Sequence, residues 1–194
     1  MTMSDKTFLP YLFGKDMERI VREGFQSGKG LFGSPNVRIA EAGGRAAGML
    51  LAYTFEQMRA EMTSWGSGIL RSGGLGLLRR LTGMIWCALF ARRSEEPRAS
   101  WVNPGEFYLA NMAVYPEFRR QGLGRMLLAD AEQRARELGC RRLALDVETE
   151  NLEAVRLYEH CGFRREQHNL RVMGEFEFLR FSKEVEPGTD PGPA

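Results

Sequence analysis

Imidazoles and thiols are scarce in this chain. Two histidines, His160 and His168, and three cysteines, Cys87, Cys140 and Cys161, occur in 194 residues. No two cysteines stand at a metal-ligand spacing, so the sequence offers no zinc site, and no metal is expected. The thiols read as buried or idle, a usage that suits a reducing cytoplasm. An excess of charge of one sign is missing too. A formal net charge of +2 lends no support to a nucleic-acid partner. Long uncharged runs are absent. The longest apolar one, LTGMIWCALFA from Leu81 to Ala91, lies between Arg80 and Arg92 and falls short of the roughly 20 residues that a membrane span needs. The opening MTMSDKTFLPYLFGKD carries no apolar signal-peptide core. A soluble, cytoplasmic protein is the expectation.

What is present suits one globular domain. Apolar residues make up 43% and charged residues 27%, enough for a sizeable core. The domain is expected over residues 1–185, with EPGTDPGPA from about 186 to 194 as a disordered tail. KDMERIVREGF places Met17, Ile20, Val21 and Phe25 on one face of a helix. VRIAEAGGRAAGMLLAY predicts a hairpin, with strands at Val37 to Glu41 and Ala46 to Tyr53 and Gly43-Gly44 at the turn. Residues from about 55 to 105 predict a helical insertion, with FEQMRAEM as one helix and about 77–92 as another. It reads as a helical hairpin packed on the core, a substrate lid, a dimer surface or a peripheral membrane contact, since basic residues border its apolar face.

After the insertion the pattern turns to strand, helix, strand, helix, strand, strand. Phe107 to Val114 is the first strand, and a helix runs from about Leu123 to Leu138, closed by Gly139. RRLALDV is the next strand. NLEAVRLYEHC is a helix capped by Asn151 and ended near Gly162. Two strands close the domain near Phe163 to Gln167 and Glu175 to Lys183. A parallel pair joined by a crossover helix follows from this order.

The first strand-to-helix junction carries RRQGLGR, Arg119 to Arg125. A helix start presents unpaired amides and the positive end of the helix dipole, which together suit an anion. Gly122 and Gly124 lack a Cβ and allow close approach, and Arg119, Arg120 and Arg125 add charge. A nucleotide P-loop needs a lysine and then Ser or Thr after the second glycine, where this chain has Arg125-Met126. The dinucleotide fingerprint needs a third small residue, where this chain has Leu127. On these residues alone, a phosphate seat and a structural glycine pair in a tight turn remain equal readings.

The junction resembles the core motif of the GNAT superfamily of acyl-CoA-dependent N-acetyltransferases: Arg or Gln, two residues, Gly, one residue, then Gly or Ala. Arg119, Arg120, Gln121, Gly122, Leu123 and Gly124 match it, preceded by Val114 and Pro116. Downstream, LDVETENLEAVRLYEHCGF is similar to the second half of the signature through Asn151, Ala154, Leu157, Tyr158, Gly162 and Phe163. The two motifs cover about residues 107 to 165. The resemblance implies an α/β fold with a central mixed, mostly antiparallel sheet, one splayed parallel pair and flanking helices. It implies acetyl-CoA as co-substrate and an amine, on a protein or a small molecule, as acceptor. Met112, Ala113 and Val114 would meet the pantetheine arm through backbone, and amides from Arg120 through Arg125 would take the pyrophosphate. Tyr158 stands at the position of the thiolate acid, and Asn151 at a cofactor contact. Asp146 matches the acidic residue, usually Glu, of the ribosomal-protein N-terminal alanine acetyltransferases. Glu106 is the rival base, and for each acid a solvated charge at a strand end is the plain alternative. His160 and His168 rank below them. A catalytically weak acyl-CoA-binding regulatory or interaction module, docking a partner or a membrane surface through the insertion, is the competing function. A homodimer is left open.

Overall fold

The computed structural model describes residues 17–29, 32–60, 102–172 and 176–186. Helix α1, Met17–Ser27, leads through a short turn at Ser34–Asn36 into strands β1, Val37–Ala42, and β2, Arg45–Thr54. Residues 55–60 are helical. Strand β3, Glu106–Val114, is followed by a turn at Pro116–Phe118 and helix α2, Leu123–Glu137. Then come β4, Arg142–Glu148, α3, Leu152–His160, β5, Arg164–Val172, and β6, Phe176–Glu184. The sheet order is β1-β2-β3-β4-β6-β5. Every pairing is antiparallel except β3 with β4. The expected mixed sheet with one parallel pair is what forms.

The local signals explain the frame. Gly43 and Gly44 both have positive φ, 59° and 71°, which turns β1 back onto β2. The Asn151 side chain accepts from the Ala154 amide at 3.3 Å and caps α3. Alternation splits each strand between two cores. Leu50, Phe107, Leu109, Leu143, Leu145 and Phe181 pack under Leu127, Leu128, Ala131 and Ala135 of α2. Leu51, Tyr53, Tyr108 and Ala144 face the other way with Val102, and Phe55 and Met58 pack there.

Two expectations change. Strand β5 runs to Val172 instead of stopping at Gln167. It is the last strand in the sheet order, its register with β6 shifts between Arg165 and Asn169, and its polar sequence shows no alternation from which its length could be read. The expected helix at about 77–92 and the tail beyond 186 lie outside the described residues.

The feature that shapes the site is a break in register. Leu51 pairs with Asn111 and Ala52 with Leu109, so Ala110 is an extra residue on β3. At the same level β3 and β4 stop pairing: their register ends at Leu109↔Leu145 although both strands continue. A bulge bends its strand, and here it accompanies the parting of the parallel pair.

Candidate active site

Beyond the Ala110 bulge, residues 111–114 of β3 keep their partner β2 but have no pairing with β4. One backbone edge of Met112, Ala113 and Val114 therefore faces a gap. Arg119 Nε donates to the Val114 carbonyl at 3.2 Å, which folds the following loop back over the strand end.

That loop ends in a helix start with unspent donors. Gly122 is left-handed at φ 84°, and no side chain caps the helix. Intrahelical bonding begins with the Met126 amide, which donates to the Gly122 carbonyl at 3.0 Å. The amides of Arg120, Gln121, Gly122, Leu123, Gly124 and Arg125 donate to nothing among the described residues. Six free amides at the positive end of a helix fit an anion. Arg120 is itself left-handed at φ 61°, a conformation costing a non-glycine residue on the order of 1 kcal/mol. Arg119, Arg120, Gln121, Gly122 and Arg125 are exposed. Arg45, from the hairpin, meets the turn before this loop: its guanidinium lies 5.6 Å from the Phe118 ring centre and 3.8 Å from Glu117.

The two glycines do different work. A Cβ at Gly122 would meet nothing within 4 Å. A Cβ at Gly124 would stand 3.0 Å from Leu157 Cδ2. Gly122 sets the turn and leaves open space, whereas Gly124 lets α2 pack against α3. The sequence reading, in which both glycines admit phosphate, gains a packing role for the second.

Tyr158, on α3, packs among the core residues under α2, with ring centres 5.8 Å from Phe163 and 6.3 Å from Phe181. Burial, with a smaller contribution from Cys161, pushes its phenol up to about 12. It is therefore a phenol, not a phenolate, throughout the neutral range.

On the opposite face stand the acids. Asp146 Oδ2 accepts from Arg180 Nη1 at 2.8 Å and from the Tyr108 hydroxyl at 2.9 Å. Glu106 Oε2 accepts from Arg180 Nη2 at 2.7 Å and from the Asn103 amide at 2.9 Å, and its Oε1 accepts from Asn103 Nδ2 at 3.0 Å. The Asp146 side chain is 2% exposed, that of Glu106 6%. Neither is a solvated strand-end charge; the structure corrects that alternative and brings the rival acids together through one guanidinium. Asp146 Oδ1 is buried with no hydrogen-bond partner among the described residues. Burial, with a smaller push from Glu106, moves the Asp146 carboxyl above the ordinary carboxylate range despite the opposing pull of Arg180 and Tyr108. Burial and the Asp146 charge raise both Tyr108 and Tyr53. The two tyrosine rings lie 5.9 Å apart. His160 is exposed at the end of α3, its Nδ1 2.6 Å from the Arg156 carbonyl.

Tyr108 and Arg180 escaped the sequence reading. One signal was available for Arg180: it interrupts the apolar run Phe178-Leu179-Arg180-Phe181 in the middle of β6. Its partners are 34 and 74 residues away in sequence, so no local pattern names them.

Tyr158 thus packs in the core on one face of the sheet, the Asp146–Arg180–Glu106 cluster stands on the other, and the free helix start follows the parted end of β3. The model of the acetyltransferase (GNAT) family matches residues 7–163. The chain is 45% identical over 58 residues to a [ribosomal protein bS18]-alanine N-acetyltransferase of Salmonella typhimurium, covering 30% of this chain and 39% of that protein. It is 42% identical over 60 residues to GCN5-related N-acetyltransferase 4, chloroplastic, of Arabidopsis thaliana, covering 31% of this chain and 21% of that one. These alignments thus span well under half of either relative. A crystal structure of an acetyltransferase superposes with a TM-score of 0.61 at 22% identity, covering 93% of this chain and 88% of the other. At that identity the likeness is one of fold.

Proposed function

The chain belongs to the acetyltransferase (GNAT) family, and we propose that it transfers an acetyl group from acetyl-CoA directly to a primary amine, on a protein N-terminus or a small molecule. The observation that carries the reading is the parting of β3 and β4 after Leu109 and Leu145, beside a helix start with six free amides. A pyrophosphate fits those amides and the arginines around them. An extended amide-bearing arm fits the unpaired edge of Met112, Ala113 and Val114. Asn151 caps α3, the helix that follows β4, the strand that parts from that edge.

Direct transfer needs no protein nucleophile. Holding amine and thioester in line supplies much of the rate. The acceptor's ammonium loses one proton to free its lone pair, the nitrogen bonds to the acetyl carbon, the carbon–sulfur bond breaks, the nitrogen loses a second proton, and the departing thiolate takes one up from solvent. Asp146 is the proposed acceptor of the nitrogen's proton, through Oδ1. A β3 amide near Met112 or Val114 is the proposed donor to the carbonyl oxygen. Tyr158 is the proposed donor to the leaving sulfur. A phenol near 12 is a weaker acid than a thiol, at about 8.5. Its support to the sulfur is therefore a hydrogen bond that strengthens as charge develops there.

The match to an alanine N-acetyltransferase and the acid at position 146 favour a peptide N-terminus among amine acceptors. Thiol release from acetyl-CoA across a panel of N-terminal peptides and small amines tests the function. Amine-dependent release is expected. Tight binding of acetyl-CoA with no release across the panel would replace the reading with that of a non-catalytic acyl-CoA-binding module.

A further inference from the structure

Asp146 on β4 is faced by Tyr53 from β2, Glu106 and Tyr108 from β3, and Arg180 from β6. One guanidinium serves two carboxylates. With both ionised, these three described groups sum to one negative charge, which is costly to keep out of water. The hydrogen bonds are also unequal. Among the described residues, Glu106 uses both oxygens, on Asn103 and Arg180, whereas Asp146 receives both of its bonds on Oδ2 and leaves Oδ1 with none. Asp146 sits one residue past the last β3–β4 pair, so this bare oxygen belongs to the strand where the gap begins.

We propose that Arg180 is a positioning residue for acetyl transfer: it pins Asp146 by Oδ2, turns Oδ1 over to the acceptor's ammonium, and ties up Glu106 so that it does not serve as the base. The inference rests on the acetyltransferase reading above. It makes the acceptor a cationic amine, whose charge completes the cluster's balance. The Arg180–Glu106 bond holds the guanidinium in a fixed plane, since two of its nitrogens are aimed at two different strands. Tyr108 adds a second restraint on Oδ2, and its ring lies 5.3 Å from the Arg180 guanidinium.

The arrangement makes opposite-signed demands on Asp146. The charge of Glu106 raises its carboxyl; the charge and hydrogen bond of Arg180 lower it. Removing Glu106 must therefore move Asp146 down, and removing Arg180 as well must move it back up. The test compares wild type, Glu106→Gln, and Glu106→Gln with Arg180→Met. The double variant deletes one charge of each sign and keeps the cluster's net charge. The measurement is kcat/KM for the amine against pH at saturating acetyl-CoA, together with the Asp146 carboxyl titration followed by carbon NMR in the free protein.

Glu106→Gln is expected to retain turnover and to move the acidic limb to lower pH. The double variant is expected to place the limb at least about one pH unit above that of Glu106→Gln, the size of shift a close opposite charge produces. The NMR titration should follow the same order. Loss of turnover at every pH in Glu106→Gln would make Glu106 the base and overturn the proposal. Acidic limbs and carboxyl titrations that coincide in the three proteins would reduce Arg180 to a packing element and overturn it too. If the double variant does not fold, Glu106→Gln with Arg180→Lys replaces it; a kcat equal to that of Glu106→Gln would show that the guanidinium's hold on Asp146 is not needed and would overturn the proposal. Absence of amine acetylation by the wild type would instead overturn the acetyltransferase reading, with the carboxyl titration still reporting on Arg180.

Discussion

Gly124 and Leu157 meet so closely that a β-carbon at 124 would stand 3.0 Å from Leu157 Cδ2. The contact locks α2 to α3, the two helices that carry the anion seat and Tyr158. Gly124→Ala gains about 0.5–1 kcal/mol of helix preference but overpacks the contact, which costs about 1–3 kcal/mol. A net loss near 1 kcal/mol is expected. Leu157→Ala makes room, so in that background the cost of Gly124→Ala should vanish. Urea unfolding of the four proteins checks this; strictly additive losses would show that the contact does not hold the helices.

Gly122 faces open space instead, so a substitution there acts on the ligand and on the backbone. Gly122→Ala should cost about 1 kcal/mol of stability from its left-handed φ alone. Gly122→Glu adds an anion at the seat and should weaken coenzyme A binding at least tenfold by calorimetry, or about 1.4 kcal/mol. Equal coenzyme A affinity in wild type and a folded Gly122→Glu would remove the seat from this loop.

The contrast between these glycines marks what a sequence can and cannot disclose. The Gly43-Gly44 turn, the helix start at Leu123 and the Asn151 cap are written in a few adjacent residues, and they were legible. The parallel pair followed from element order. The Gly124–Leu157 contact, the Ala110 bulge and the Arg180 bridge join residues from different elements. Only the assembled sheet brings them together. The acids were found, but their burial was not, because alternation places a side chain on a face without saying what covers that face.

Tyr158→Phe removes the hydroxyl and keeps the packing on Phe163 and Phe181. Turnover should fall at least tenfold while acetyl-CoA affinity changes by less than about twofold, the pattern of an interaction made in the transition state. Because the phenol stands at about 12, wild-type kcat should show no basic limb from Tyr158 below about pH 10. Unchanged kcat in Tyr158→Phe would return the residue to the core.

Asp146 links activity to stability. Its carboxyl is raised in the folded protein, so the fold binds that proton more tightly than the unfolded chain does. The resulting stabilisation is fully present below the unfolded value, about 3.9, and is lost as pH rises through the folded value. Asp146→Asn, which keeps an acceptor for Arg180 and Tyr108, does not carry this loss. Its melting temperature minus that of wild type should therefore be larger at pH 8 than at pH 5, while turnover is lost. A difference that shrinks toward pH 8 would mean that Asp146 is stabilised as a carboxylate.

The most direct test follows the acetyl group itself. Acetyl-CoA isotopically labelled in the acetyl carbons, incubated with the protein and an N-terminal peptide panel, is analysed by mass spectrometry of peptides and protein. The label is predicted on the nitrogen of an acceptor amine with wild type, and on none with Asp146→Asn at matched acetyl-CoA occupancy. Label that stays on coenzyme A throughout, or that accumulates on the protein before reaching any amine, would contradict direct transfer across the gap between β3 and β4.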